Sequence, residues 1–445
     1  MKRLFCFLAS FVAAACFAED ATADAEGAGT PEISVSDVRI FQNANTHLVT
    51  VSYELGDVPA IVTVDFLTNG VSIGEENFNN VFGAVNRMVM QTNSVHTIHW
   101  QPSKSWPGNG GAEITAKVTA WDPVDPPDYM SVSLGDKSVA PVSYYVSTNA
   151  LPGTLADDAY RTSRLLMRRI RAANVKWRMG ELEEDFADAE KNEKNVLSQN
   201  AKAHYVTFTK DFFMGVYPIT QEQYRRLTGE STLGGAFNEF EDSPIRPRTK
   251  LNFKSIRGEG SEVNHVVQSE TVLHKMRMFT GIDFDLPTEA QWEYACKAGV
   301  QALLYSGKPL TSANVNELAW VWHKNPELHA VGQKMPNNWG LYDMLGNIYE
   351  WCLDKYAIDL GFEDVVDPLI TEGTLGRVVR GSRYNLSWVP YVRTTYRTYQ
   401  SEGKAEGQLD GYGFRVMCPL TLKFPVAEEE SKEDVDEEIV QGEGE

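Results

Sequence analysis

At 445 residues, 42% hydrophobic and 11% aromatic, the chain has globular composition and enough length for two domains with separate cores. A formal net charge of −20 gives a surface that repels nucleic acid and anionic membranes, so neither is an expected partner.

The N-terminus reads as an export signal, residues 1–18. Met1-Lys2-Arg3 is basic, Leu4–Phe17 is apolar but too short to cross a bilayer, and a cut is expected after Ala18. No other stretch is long and apolar enough to span a membrane, so the expected location is periplasmic or secreted. Cys16 follows Ala13-Ala14-Ala15, which lacks the large aliphatic residue of a lipobox, and lipid anchoring is the lesser alternative. Residues 19–31 are small and acidic and read as a linker.

From Ile33 the pattern turns to period two. Val49, Val51 and Tyr53 alternate with Thr50, Ser52 and Glu54, and Ala60–Leu67, Val95–Trp100 and Ile114–Trp121 behave likewise. Short strands between Gly, Asn and Pro turns predict an antiparallel β-sandwich of the immunoglobulin or fibronectin kind over 32–127. His96 and His99 are three apart in a strand and face opposite sides. Nothing in this region carries a chemical motif, which favours a spacer or packing module.

Residues 128–159 have little pattern and read as a connection; a second domain is expected over 160–420. The cluster Arg164, Arg168, Arg169 and Arg171 suits either a phosphate site or an ion-paired face. Alternating strand faces and the nearby Glu181, Glu183 and Glu184 favour the ion pairs. Ile219–Leu227 reads as a helix capped by Thr220 and closed by Gly229. Pro287–Ala295 reads as another, capped by Thr288 and stopped by Gly299; residues 230–285 between them read as irregular.

Val331–Cys352, VGQKMPNNWGLYDMLGNIYEWC, is the densest stretch in turn formers, aromatics and carboxylates. Trp339, Tyr342, Tyr349 and Trp351 contribute mainly by burial, so an ordered, buried turn is expected. Its backbone polar groups need partners. Asp343 and Glu350 could supply them as acceptors, or hold a cation together with backbone carbonyls. The acidic run Glu428–Glu445 completes a solvated tail over 421–445. Outside the signal the cysteines are Cys296, Cys352 and Cys418, an odd set that allows at most one internal disulfide. All three sit in apolar surroundings, where Cys packs as a small core residue, and no CxxC or HExxH motif exists.

The motifs together resemble a known family. Asp285–Ala295, DLPTEAQWEYA, resembles the LPTEAEWEYA signature of the formylglycine-generating enzymes, or sulfatase-modifying factors. Val331–Cys352 resembles that family's VG…PN.WGLYDM.GNVWEW. Arg377–Ser382, Arg393–Arg397 and Gly413-Phe414-Arg415 resemble its RVxRGGS…R..YR…GFR, and Phe213–Gly215 with Ile219–Gln221 fit its opening. The resemblance runs in order across residues 160–420. It implies a C-type-lectin-like fold with little regular secondary structure over those residues; the N-terminal sandwich lies outside the resemblance, and the two together make the expected chain α+β.

Enzymes of that family oxidise a sulfatase cysteine to formylglycine with oxygen, using Cu(I) on two cysteines between the RGGS segment and the following Arg pair. Soft thiolates select Cu(I). The corresponding stretch here, Arg383–Val392, contains no Cys, and Arg380-Gly381-Ser382-Arg383 lacks the second Gly of RGGS. Copper is therefore not expected and no catalytic residue is assigned. The resemblance also implies Ca²⁺ on Asp343, the carbonyls of Gly346 and Ile348, and Glu350, as suits oxygen donors in a rigid loop. The expected function is an exported, non-catalytic module that binds carbohydrate or an extracellular peptide or protein through Tyr384, Trp388, Tyr391, Arg393 and Arg397. The alternative is a formylglycine-generating oxidase, or another oxidation at an unusual metal site.

Overall fold

The computed structural model describes residues 32–109, 112–135, 142–186, 202–230, 242–258, 266–321, 327–361, 363–386 and 388–420. The export signal, the 19–31 linker and the acidic tail lie outside them. Among the described residues no helix is long and apolar enough to cross a membrane.

The first region is built on side-chain alternation. In strand Val49–Leu55 the residues Val49, Val51, Tyr53 and Leu55 are buried, while Thr50, Ser52 and Glu54 are half-exposed. The strand lies in an antiparallel sheet ordered Val35–Gln42, Val49–Leu55, Ser94–Trp100, Phe82–Gly83. A second antiparallel sheet centres on Ala60–Thr68, which pairs with Val71–Ser72, Arg87–Val89 and Thr115–Trp121. The two share one apolar cluster that includes Val51, Tyr53, Phe66, Ile98 and Trp100. Tyr53 satisfies its buried hydroxyl on the Ala84 carbonyl at 2.7 Å. Strands fall within two residues of the four predicted stretches.

Residues 128–159, read above as a connection, are part of the architecture. Val142–Tyr145 and Tyr129–Ser133 form one side of a five-stranded antiparallel sheet, followed by Arg164–Ile170, Phe212–Gly215 and Met417–Pro419. The sequence hid Tyr129–Ser133 because all five residues are buried, and a strand covered on both faces has no period-two alternation. The same sheet ties in the first region. Tyr144 N–H donates to the Asn86 carbonyl at 2.7 Å, and Ile61 joins the second region's apolar cluster with Met88 and Trp121 packed against it.

Two mixed sheets complete the second region. One orders Lys176–Met179, His204–Thr207 and Val365–Val366; the other orders Thr398–Gln400, Arg377–Arg380, Tyr349–Lys355 and Tyr412–Gly413. Helix Gln221–Thr228 starts on a capping box between Thr220 and Gln223 and ends on Gly229 at φ 78°. Helix Glu289–Lys297 starts on the Thr288–Gln291 box but ends at Ala298, φ 46°, one residue before the predicted Gly299. The span 230–285 is not wholly irregular: Phe253–Arg257 and Val272–Thr280 are helical, capped by Asn252 and Thr271. The whole is a mixed, strand-rich α+β structure.

The arginine cluster is ion-paired, with partners other than the neighbouring glutamates. Arg168 meets Asp128 at 2.9 Å, Arg169 meets Asp211 at 2.7 Å, and Arg171 meets Asp128 at 3.0 Å. Arg164 donates to Ser131 Oγ at 2.7 Å.

Candidate functional site

The motifs that stand far apart in sequence meet in a charged core. Glu289 and Glu293 are one helical turn apart on Glu289–Lys297 and face the strand Arg377–Arg380. Arg380 reaches Glu289 at 3.1 Å and Glu293 at 2.6 Å. Arg397 holds both oxygens of Glu289 at 2.7 Å, and Lys297 meets Glu293 at 2.8 Å. Burial opposes the charge on Glu293, but Lys297 and Arg380 overcome it and draw the carboxyl down to about 2. Arg415 grips Glu350 at 2.9 Å and donates to the carbonyls of Gly215, Val216 and Tyr342, while Trp292 Nε1 donates to Glu350 at 2.7 Å. Arg393 pairs with Glu181 across 212 residues of chain at 2.7 Å.

Two further buried carboxyls lack a cationic side chain in hydrogen-bond contact. Asp354 accepts the N–H of Glu289 at 2.7 Å and of Ile370 at 3.0 Å, so it caps the helix that carries the glutamates. Burial, with the Glu289 charge behind it, pushes Asp354 up to about 7. Asp343 accepts from Gly332 N at 2.6 Å, with Asn347 Nδ2 at 3.5 Å, and burial raises it to about 6. The turn around it is tight: Asp343, Gly346 and Asn347 have φ of 54°, 78° and 63°. A Cβ at Gly346 would stand 2.7 Å from the Trp320 backbone, so glycine is required there.

This geometry decides where each predicted site residue goes. The residues of the implied Ca²⁺ set have protein partners of their own. Glu350 is spent on Arg415 and Trp292, the Gly346 carbonyl accepts Ile348 N–H at 2.8 Å, and Asp343 faces backbone N–H. Among the described residues no group of three or more His, Cys, Asp or Glu converges on one point. Arg393 and Arg397 do not belong to a binding surface. They are 1% and 3% exposed, because their guanidinium groups neutralise Glu181 and Glu289 inside the protein.

Tyr384, Trp388 and Tyr391 lie along one segment with different exposure. Trp388 is 43% exposed and meets Tyr391 edge-on at 4.9 Å; Tyr391 in turn packs on Tyr396 at 4.8 Å. Tyr384 is buried and donates its hydroxyl to Asp410. Beside Trp388 a pocket of about 200 Å³ is walled by Leu386, Val389 and Val392 and by Val315 and Asn316 of helix Ser312–Leu318. Sequence reading missed that helix face and Tyr396; the Thr311 cap was the available signal. The three cysteines are free, fully buried and carried by different elements, and burial pushes each thiol well up.

Residues 170–419 match the sulfatase-modifying factor enzyme 1-like domain, more than half of the chain. The chain belongs to this family. Similar proteins carry different names. A serine/threonine-protein kinase pkn1 of Chlamydia pneumoniae is 31% identical over 211 residues, 46% of this chain and 32% of that one. Chaperone protein LppX of Paenibacillus barcinonensis is 27% identical over 244 residues, 46% and 80%. The formylglycine-generating enzyme of Mus musculus is 28% identical over 141 residues, 29% and 38%. The chain thus spans about a third of the kinase and of the enzyme, and four-fifths of the chaperone. Among solved structures, Treponema denticola variable protein 1 aligns at TM-score 0.44 with 22% identity, over 57% of this chain and 95% of that one.

Proposed function

We propose that this protein is an exported, non-catalytic member of the sulfatase-modifying factor family. Its expected ligand surface is centred on Trp388 and Tyr391 and on the pocket beside them. The observation that carries this reading is the placement of sulfur. Formylglycine chemistry on Cu(I) needs two thiolates side by side, and Arg383–Val392 contains none. Cys296, Cys352 and Cys418 sit on a helix and two separate strands, each buried where the thiolate is disfavoured. In this reading copper has no site, and Ca²⁺ has no complete ligand set at Asp343.

The glutamates and arginines of the motifs then serve the scaffold, and fold alone does not carry the family's oxidation along. We read the first region as an immunoglobulin-like sandwich, from its two antiparallel sheets around one core, and the second as C-type-lectin-like, from its irregular connections. A relative named as a chaperone and matched over four-fifths of its length favours a protein segment as the ligand over a small molecule.

The decisive experiment incubates the purified protein with a peptide bearing a sulfatase-motif cysteine, Cu(I) and oxygen. The expected mass spectrum contains only unmodified peptide. An aldehyde product overturns the reading and restores the oxidase alternative.

A further inference from the structure

The outer face of the first sheet carries a feature that the family domain does not explain. Strand pairing places Phe41 opposite Thr50, Thr50 opposite His99, and His99 opposite Phe82. Directly opposed residues share a face, so these four side chains form one row across all four strands. The opposite face holds Val51, Ile98 and Trp100 in the core, which puts the row on the solvent side. Phe41 is 66% and Phe82 55% exposed. Three strand spacings separate the two rings by about 14 Å. Between them the groups are polar: Thr50 Oγ1 and His99 Nδ1 are 3.1 Å apart, and the Phe82 ring rests on the His99 ring at 5.2 Å. The adjoining row on the same face is Arg39, Ser52 and Thr97.

Two isolated rings with hydrogen-bonding groups between them do not make a protein-interface core, which is contiguous and closely packed. Edge pairing by another strand is also disfavoured. Of the two edges, Phe82–Gly83 is only two residues long, and Val35–Gln42 breaks register between Ser36 and Arg39, with Asp37 at φ 50°; a short strand and a bulge both blunt an edge. A largely polar face with spaced aromatic rings, on which Val95 is also exposed, matches a ligand that alternates C–H faces with hydroxyl groups along an extended line.

We infer that this sheet face binds an extended β-linked polysaccharide, which crosses the strands with sugar rings stacked on Phe41 and Phe82 and hydroxyl groups hydrogen-bonded at Thr50 and His99. An α-1,4-linked glucan coils and does not follow a straight row, whereas a β-1,4-linked chain is a flat ribbon.

The test is isothermal titration of the full chain with cellohexaose and, for comparison, maltohexaose. Cellohexaose binds and maltohexaose does not. Phe41→Ala and Phe82→Ala each weaken binding about ten-fold, the loss expected for one stacked ring. Phe41→Tyr and Phe82→Tyr keep a ring and retain binding, which separates loss of stacking from loss of fold. Met278→Ala, at an exposed position on the helix Val272–Thr280 of the second region, leaves binding unchanged. Absence of binding to cellohexaose, xylohexaose and chitohexaose overturns the proposal. Cellohexaose binding that survives the Phe41→Ala/Phe82→Ala pair overturns it too, by placing the glycan elsewhere.

Discussion

The two regions of the molecule bury different chemistry. In the first region the only buried polar side chain among the described residues is Thr63; the rest of its core is Val, Ile, Leu, Ala, Phe, Tyr and Trp. The second region buries Arg377, Arg380, Arg393, Arg397 and Arg415, with Glu181, Glu289, Glu293 and Glu350 set against them. An apolar core tolerates volume-conserving change and loses stability in proportion to what is removed. A buried charge network is less forgiving, because removing one partner leaves the other desolvated and unpaired. Family motifs, which invite a catalytic reading, are in this chain mostly the members of that network.

This contrast can be broken most sharply at Arg380. Arg380→Met strips both Glu289 and Glu293 of a partner, and the expected cost is about 3–5 kcal/mol. Ile98→Val, a core change in the first region, is expected to cost about 0.5–1.5 kcal/mol. Urea denaturation of both variants measures the difference; equal losses would mean that the ionic core behaves as ordinary packing.

A smaller effect is expected from pH. Asp343 and Asp354, at about 6 and about 7 in the fold, lie above the ordinary carboxyl value of 3.8. Over that interval the folded protein holds protons that the unfolded chain has released. The resulting stability is fully present below the ordinary value and is lost as pH rises through the two folded values. Melting temperature should therefore be higher near about pH 5 than near about pH 7.5. Asp354→Asn, neutral throughout, should flatten the slope while weakening one of the two N–H contacts at Glu289 and Ile370. A melting temperature that rises steadily across the same interval would place the dominant titration elsewhere.

Chelation is expected to do least. With Glu350 held by Arg415, EDTA should leave the melting curve unchanged. A drop in melting temperature that Asp343→Ala abolishes would instead make Asp343 a cation ligand.

Much of this was legible from residues alone. Period-two alternation marked the strands of the first region, since each has one wet and one dry face. Thr220 and Thr288 marked helix starts, because a cap is a contact between residues three apart. Motif order identified the family. Tyr129–Ser133 was not legible, because burial on both faces removes alternation. Nor was the inward turn of Arg393 and Arg397, whose sequence neighbourhood resembles any aromatic and basic surface segment.

By itself, then, the sequence determined local form: alternation, caps, the family's succession of motifs, and the missing thiol pair. Each depends on residues close in the chain or on a side chain simply being present. Only the tertiary structure decided which charges meet. Arg393 lies 212 residues from Glu181, Arg380 lies 87 from Glu293, and Arg415 lies 65 from Glu350. Those pairings follow from sheet order and from the helix Glu289–Lys297 packing over its strands. Desolvation then makes each pair obligatory, since a lone charge in that interior would be the costlier state.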